Sequence, residues 1–235
     1  MRKRLSSAFT LIEIVTTMAI IVILTSIVVG IAGYVQNKGA RSRAQSEIAM
    51  LSSALENYKG DTGGYPQDTD KLTTDTLSPK KHFTPTDTVY SDSSLFLYKE
   101  LTGDKSKING TGDPDGVPDT DAAGNPTPIY LKQYDPRIIL ADRDANTKKI
   151  TKVKGFQDPW GYMYGYSTAA MAEEQKFQLK LKQGQANPTR STGATNPGYN
   201  MSSPDMWSTA GNKPSPAPAS DKLKDQETAK WVKNW

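Results

Sequence analysis

Ser7-Ala8-Phe9-Thr10-Leu11-Ile12-Glu13 heads an apolar run that continues from Ile14 to Val35, and a short cationic leader, Arg2-Lys3-Arg4, precedes it. An acidic residue at the centre of a membrane helix costs roughly 2.5–3.5 kcal/mol on insertion scales, so a solitary Glu13 in such a run implies a task. Its place near the start of the run lightens the cost, because the dipole of a helix favours an anion at its N-terminus. The run is long enough to cross the roughly 30 Å hydrocarbon core of a bilayer. The leader's charge predicts that the N-terminus stays in the cytoplasm. An ordinary secretory signal has a shorter apolar region and a small-x-small cleavage site. This run contains Glu13, and Gly30-Ile31-Ala32-Gly33 is a poor site of that kind. A plain signal anchor is the stronger rival. Lipid attachment through a lipobox is excluded, because the chain has no cysteine.

From Phe9 the pattern predicts a helix of about fifty residues without proline, apolar all round in its first half, as lipid or a filament core requires. Gly30 and Gly33 lower its intrinsic helicity and permit bending. Beyond Asn37 the pattern becomes one-sided. Ala44, Ile48, Leu51, Leu55 and Tyr58 recur at spacings of four and three, a stripe that needs a partner, most simply a small antiparallel sheet. The helix should stop at Gly60 to Gly64, where Tyr65-Pro66 begins an extended segment. Further on, Leu95–Leu101 reads as a short helix, 104–128 as a Gly-, Pro- and Asp-rich loop, and Ala172–Lys182 as a charged helix or hairpin extension. Pro214–Pro218 is an extended Pro/Ser/Ala stretch.

Lys and Arg number 29 against 25 Asp and Glu. Without the leader's cations the balance is nearly even, so no basic stripe remains to support nucleic-acid binding. The absence of cysteine excludes a disulfide-stapled exported domain. The chain beyond Tyr34 suffices for one modest domain with long loops.

The segment from the leader to Glu13 resembles the class III signal of type IV prepilins and pseudopilins. Three further landmarks stand in the family's order. Leu55-Glu56-Asn57-Tyr58-Lys59-Gly60-Asp61-Thr62-Gly63-Gly64-Tyr65-Pro66 is similar to the helix end of the type II secretion major pseudopilin. Gln157-Asp158-Pro159-Trp160-Gly161, followed by Tyr162, Tyr164 and Tyr166, resembles the turn that opens its sheet. Tyr199-Asn200-Met201 and then Ser208-Thr209-Ala210-Gly211-Asn212 resemble its second strand and Ser-x-Gly loop, and Asn234-Trp235 resembles its ending. The likeness covers about half of the chain, and 78–155 departs from it as an insertion. The resemblance implies an α+β fold, a long N-terminal helix packed on a small antiparallel β-sheet with long inserted loops. It implies a leader at 1–8, a transmembrane or filament-core helix at 9–35, the amphipathic half of that helix at 36–60, and a globular domain at 61–235. A prepilin peptidase would cut between Ala8, where the family usually has Gly, and Phe9, whose amine would be methylated. Glu13 would then pair with the Phe9 ammonium of a neighbouring subunit. Other pseudopilin subunits as a homo-polymer and an inner-membrane assembly platform are the implied partners. The implied place is the bacterial inner membrane, single-pass, with the domain in the periplasm, and protein export is the implied work. The rival readings are a type IV pilin for adhesion, motility or DNA uptake, and a membrane-anchored binding protein that never polymerises.

Calcium is the one ligand the residues suggest. Asp113, Asp115, Asp119 and Asp121 alternate around Gly116, and hard oxygens spaced in this way can converge on one cation. Thr111 and Ala122 stand where an EF-hand-type loop would carry its first and twelfth ligands. The resemblance implies a different calcium site, in the C-terminal loop, where this chain offers Asp221 and Asp225. No catalytic motif stands out. His82, the sole histidine, lies beside Lys80 and Lys81 in a polar stretch and reads as a surface residue, and no Gly-x-Ser-x-Gly elbow or phosphate loop is present. The expected protein is no enzyme.

Overall fold

A computed structural model describes residues 9–68, 73–105, 114–120, 123–185, 187–190, 197–214 and 217–235. The chain divides into two compact units, Met1–Ala40 and Arg41–Trp235.

Helix α1, Leu11–Thr62, runs through the boundary between them. In the first unit its side chains are exposed all round, including Ile12, Leu24 and Val29. Three hydroxyls there bond within the helix: Thr16 donates to the Ile12 carbonyl at 2.9 Å, Thr17 to Ile14 at 2.9 Å and Ser26 to Ile23 at 2.7 Å. Each polar side chain so satisfied is compatible with an apolar surrounding. By length and composition this helix can cross a membrane. It ends where the glycines stand. Gly63 takes φ +83°, a left-handed conformation that glycine adopts at little cost, and its N–H closes on the Lys59 carbonyl at 2.8 Å.

The second unit is an α+β domain. The stripe of α1 is buried at Ala44, Ile48, Leu51 and Leu55, with Tyr58 half-buried against the same cluster. Its partners in that cluster include Leu97, Tyr98 and Leu101 from helix α3, Thr88–Thr102. Tyr164, Tyr166, Met206 and Val232 complete it from the sheet side. Strands β3 (Gly165–Ser167), β4 (Asp205–Ser208) and β5 (Val232–Lys233) form an antiparallel sheet in that order. Gly165 faces Trp207 across it, and a Cβ at Gly165 would collide with the indole ring. A second aromatic cluster, with Leu77, Phe83, Tyr90, Met163, Trp207 and Trp231, fills the other part of the domain.

The inserted region holds more order than its sequence suggested. Besides a one-turn helix α2 (Thr73–Thr76), just before the insertion, and α3 within it, there is a hairpin of β1 (Ile139–Arg143) and β2 (Ile150–Phe156). Its turn is held by Asp144, whose carboxylate accepts the N–H of Asn146 at 3.0 Å and of Thr147 at 2.6 Å. Ser94 ties α3 to this hairpin by donating to the Phe156 carbonyl at 3.0 Å and accepting its N–H at 2.8 Å. Residues 172–182 fall in a helix, α4 (Ala169–Lys182), not in a hairpin extension. Asp221 and Asp225, expected in a loop, belong to helix α5 (Asp221–Thr228), because Ser220 caps it by accepting the Leu223 N–H at 3.4 Å.

Candidate functional site

At the start of α1, Phe9 is 83% exposed. The Glu13 carboxylate accepts the Thr10 N–H at 2.9 Å and the Thr10 hydroxyl at 2.8 Å, and the Thr10 oxygen accepts the Glu13 N–H at 3.4 Å. This is a capping box, in which a Thr and the Glu three residues on satisfy each other's orphan donors. The Thr10-Leu11-Ile12-Glu13 spacing carried that signal in the sequence. The carboxylate is therefore held at the helix start by its own chain, beside the exposed Phe9. Ala8, on the other side of the expected cut, lies outside the described residues.

The three sequence landmarks that follow the leader segment meet in the domain. Asp158 is buried and collects the N–H of Trp160 at 3.0 Å, the N–H of Tyr162 at 2.9 Å and the Ser208 hydroxyl at 2.5 Å. It thereby fastens the Asp-Pro-Trp-Gly turn to the Ser-Thr-Ala-Gly segment, and burial pushes its carboxyl above the usual range. Trp160 also packs on Gly211. Tyr166 donates to the Pro66 carbonyl at 2.7 Å, which joins the sheet to the helix end. Tyr164 donates at 2.6 Å to Glu47 of α1, a carboxylate that also receives Arg43 at 2.7 Å. Asn234 exchanges bonds with Met206, accepting its N–H at 2.9 Å through the side chain and donating its own N–H to its carbonyl at 3.1 Å. The landmarks are thus joints of one small fold, and the residues that carry them are structural.

The acidic loop is organised around a residue that sequence reasoning missed. Asp104 is buried and accepts the Tyr98 hydroxyl at 2.7 Å, the Gly116 N–H at 2.8 Å and the Asp115 N–H at 3.3 Å. Its burial raises its carboxyl, and the hydrogen bonds oppose that rise. The carboxylate of Asp115 accepts the Val117 N–H at 3.2 Å, and that of Asp119 accepts the Lys105 N–H at 2.8 Å. Asp113 and Asp121 lie outside the described residues. Among the described residues, no group of three or more His, Asp or Glu side chains is placed to hold a metal ion. Asp221 pairs with Lys224 at 3.1 Å on the surface of α5. His82 is half-buried, its Nδ1 accepting the Ser78 N–H at 3.0 Å, and burial holds its pKa down. It fastens a turn.

A helix that is apolar in one unit and the wall of an α+β domain in the other is the pilin-like arrangement that the resemblance implied. The chain is similar to the type II secretion system core protein G of Aeromonas hydrophila, with 39% identity over 66 residues, 28% of this chain and 46% of that protein. The resemblance to the type II secretion pseudopilins is borne out by this match. The chain spans less than half the length of this curated relative. No family model matches the chain, and no solved structure matches it.

Proposed function

We propose that the chain is a structural subunit of a pseudopilus-like filament, processed by a prepilin peptidase between Ala8 and Phe9. Inserted once in the bacterial inner membrane with its domain in the periplasm, it would be drawn by an assembly platform into a homo-polymer that drives protein export. Contacts in such a polymer are heterologous and non-closing, the symmetry that makes a fibre instead of a ring. The observation that carries this reading is the start of α1: a lone carboxylate, Glu13, beside an exposed Phe9 at the head of a helix whose apolar side chains up to Val35 are exposed among the described residues. Likeness to a protein named as a type II secretion component supports it.

Two measurements on membrane-expressed protein test it. N-terminal sequencing should find a chain beginning at Phe9; a native chain that keeps Met1 sinks the processing step. Sedimentation should find filaments for the native chain and membrane-bound monomer for Glu13→Ala. Removing one member of a buried ion pair typically costs about 3–5 kcal/mol. An unchanged filament yield from Glu13→Ala would overturn the pairing, and absence of any filament would favour the non-polymerising anchor.

A further inference from the structure

Two ammonium groups stand over aromatic rings beside the C-terminal strand. Lys80 Nζ stands 4.8 Å from the centre of the Tyr199 ring. Lys233 Nζ stands 5.7 Å from that ring and 5.0 Å from the ring of Trp235. The two rings are stacked 4.6 Å apart and nearly parallel, at 9°. The π-faces of aromatic rings attract cations, most strongly where water is excluded. Carboxylates complete the surroundings. Burial lowers the pKa of Lys80 and of Lys233, and the charges of Asp205, Asp225 and Asp221 oppose that fall at Lys80, as Asp225 does at Lys233.

These residues offer an ammonium two aromatic faces and offer calcium few free oxygens. Calcium takes six to eight oxygen ligands at about 2.3–2.6 Å. Here two aromatic faces offer no oxygen lone pair toward the cation. Asp205 is buried with both oxygens engaged, Oδ2 by the Tyr199 N–H at 2.7 Å and Oδ1 by the Asn200 N–H at 2.9 Å. Asp221 is paired with Lys224. A divalent ion would also meet two positive charges already in place. Lys80 comes from the insertion, the part of the chain that departs from the resemblance.

We propose that Lys80, seconded by Lys233, is the resident cation of the C-terminal region, so that the strand β5 and helix α5 are held without a divalent ion. With no cysteine in the chain, the region is then fastened by an ammonium and by Arg41, which donates to the Lys230 carbonyl at 2.7 Å. The test is thermal melting of the full chain in detergent micelles, followed by tryptophan emission, in chelator and in millimolar calcium. The native chain and the double variant Asp221→Asn/Asp225→Asn should respond to calcium identically, so that any response common to both arises outside this region. Lys80→Met should lower the melting temperature by about 3–6 °C in chelator. Lys80→Arg, which keeps the charge, should recover half of that or more. A calcium stabilisation of the native chain that the double variant abolishes would overturn the proposal. So would a Lys80→Met melting temperature equal to that of the native chain. Should Lys80→Met fail to fold, the comparison of the native chain with the double variant decides the question.

Discussion

Leu24 and Leu51 lie on the same helix, the first 58% exposed and the second 0% exposed. Up to Val35 the large apolar side chains of α1 are exposed among the described residues. From Arg41 onward the stripe at Ala44, Ile48, Leu51 and Leu55 is closed over by α3 and the three-stranded sheet. Burial of apolar area is worth about 25 cal/mol per Å² in either place, but only the domain realises it within one chain. In the first unit that term would be met by lipid or, on the proposed function, by further copies. The contrast separates what a monomer needs to fold from what it would use to assemble.

The largest expected effect exploits that contrast directly. Leu51→Ala should destabilise the domain by about 2–5 kcal/mol through lost burial and a residual cavity. Leu24→Ala should leave the domain's melting within about 0.5 kcal/mol of native. Parallel melts in micelles check both, and a comparable loss from Leu24→Ala would erase the distinction between the two units. A smaller effect belongs to Asp205, which burial pushes up to about 6 from an ordinary 3.8. A folded carboxyl that holds its proton more tightly than the unfolded one favours the fold at low pH. Its contribution is full below about pH 3.8 and is lost as the pH rises through 6, a change on the order of 2–3 kcal/mol. Denaturant melts between pH 4 and 7 should show a steeper fall of stability in the native chain than in Asp205→Asn. A slope of the opposite sign in the difference would refute the assignment. The smallest effect returns to the apolar unit. Thr10→Ala removes the hydroxyl of the capping box and should cost about 1 kcal/mol, confined to the first turn. Amide exchange should quicken around Leu11–Glu13 while the domain's melting temperature holds.

Legibility in the sequence followed the range of the forces involved. The end of α1 was readable because glycine and proline act on their own backbone: Gly60 to Gly64 was expected, and the helix stops at Thr62. The stripe was readable because helical period is local, and its four aliphatic members are buried as expected. Leu95–Leu101 was legible as helix for the same reason, although α3 begins seven residues earlier, at Thr88. The β1–β2 hairpin was not anticipated, although Ile150, Lys152 and Lys154 alternate with Thr151, Val153 and Gly155 after an Asp-Ala-Asn-Thr turn. Its stability comes from α3 through Ser94, a contact between residues 62 apart in sequence. Asp104 was missed for a like reason. Nothing beside it in the chain shows that Tyr98 and the Gly116 backbone will enclose it. At the helix start the identity of Glu13 was legible, and its capping bond to Thr10 went unread although the spacing was in plain view.

The guanidinium of Arg41, at the opening of the domain, donates to the carbonyl of Lys230, 189 positions further along the chain. Folding rates fall as contacts reach further along the chain, because ends must find each other before the contact rewards them. Closing so long a loop costs little more free energy than closing half of it. The consequence is kinetic: α1 and the α3 contacts can condense early, whereas β5 arrives late. During that delay Trp207, Trp231 and Trp235 are open to water, and tryptophan emission should report the last step of folding, not the first.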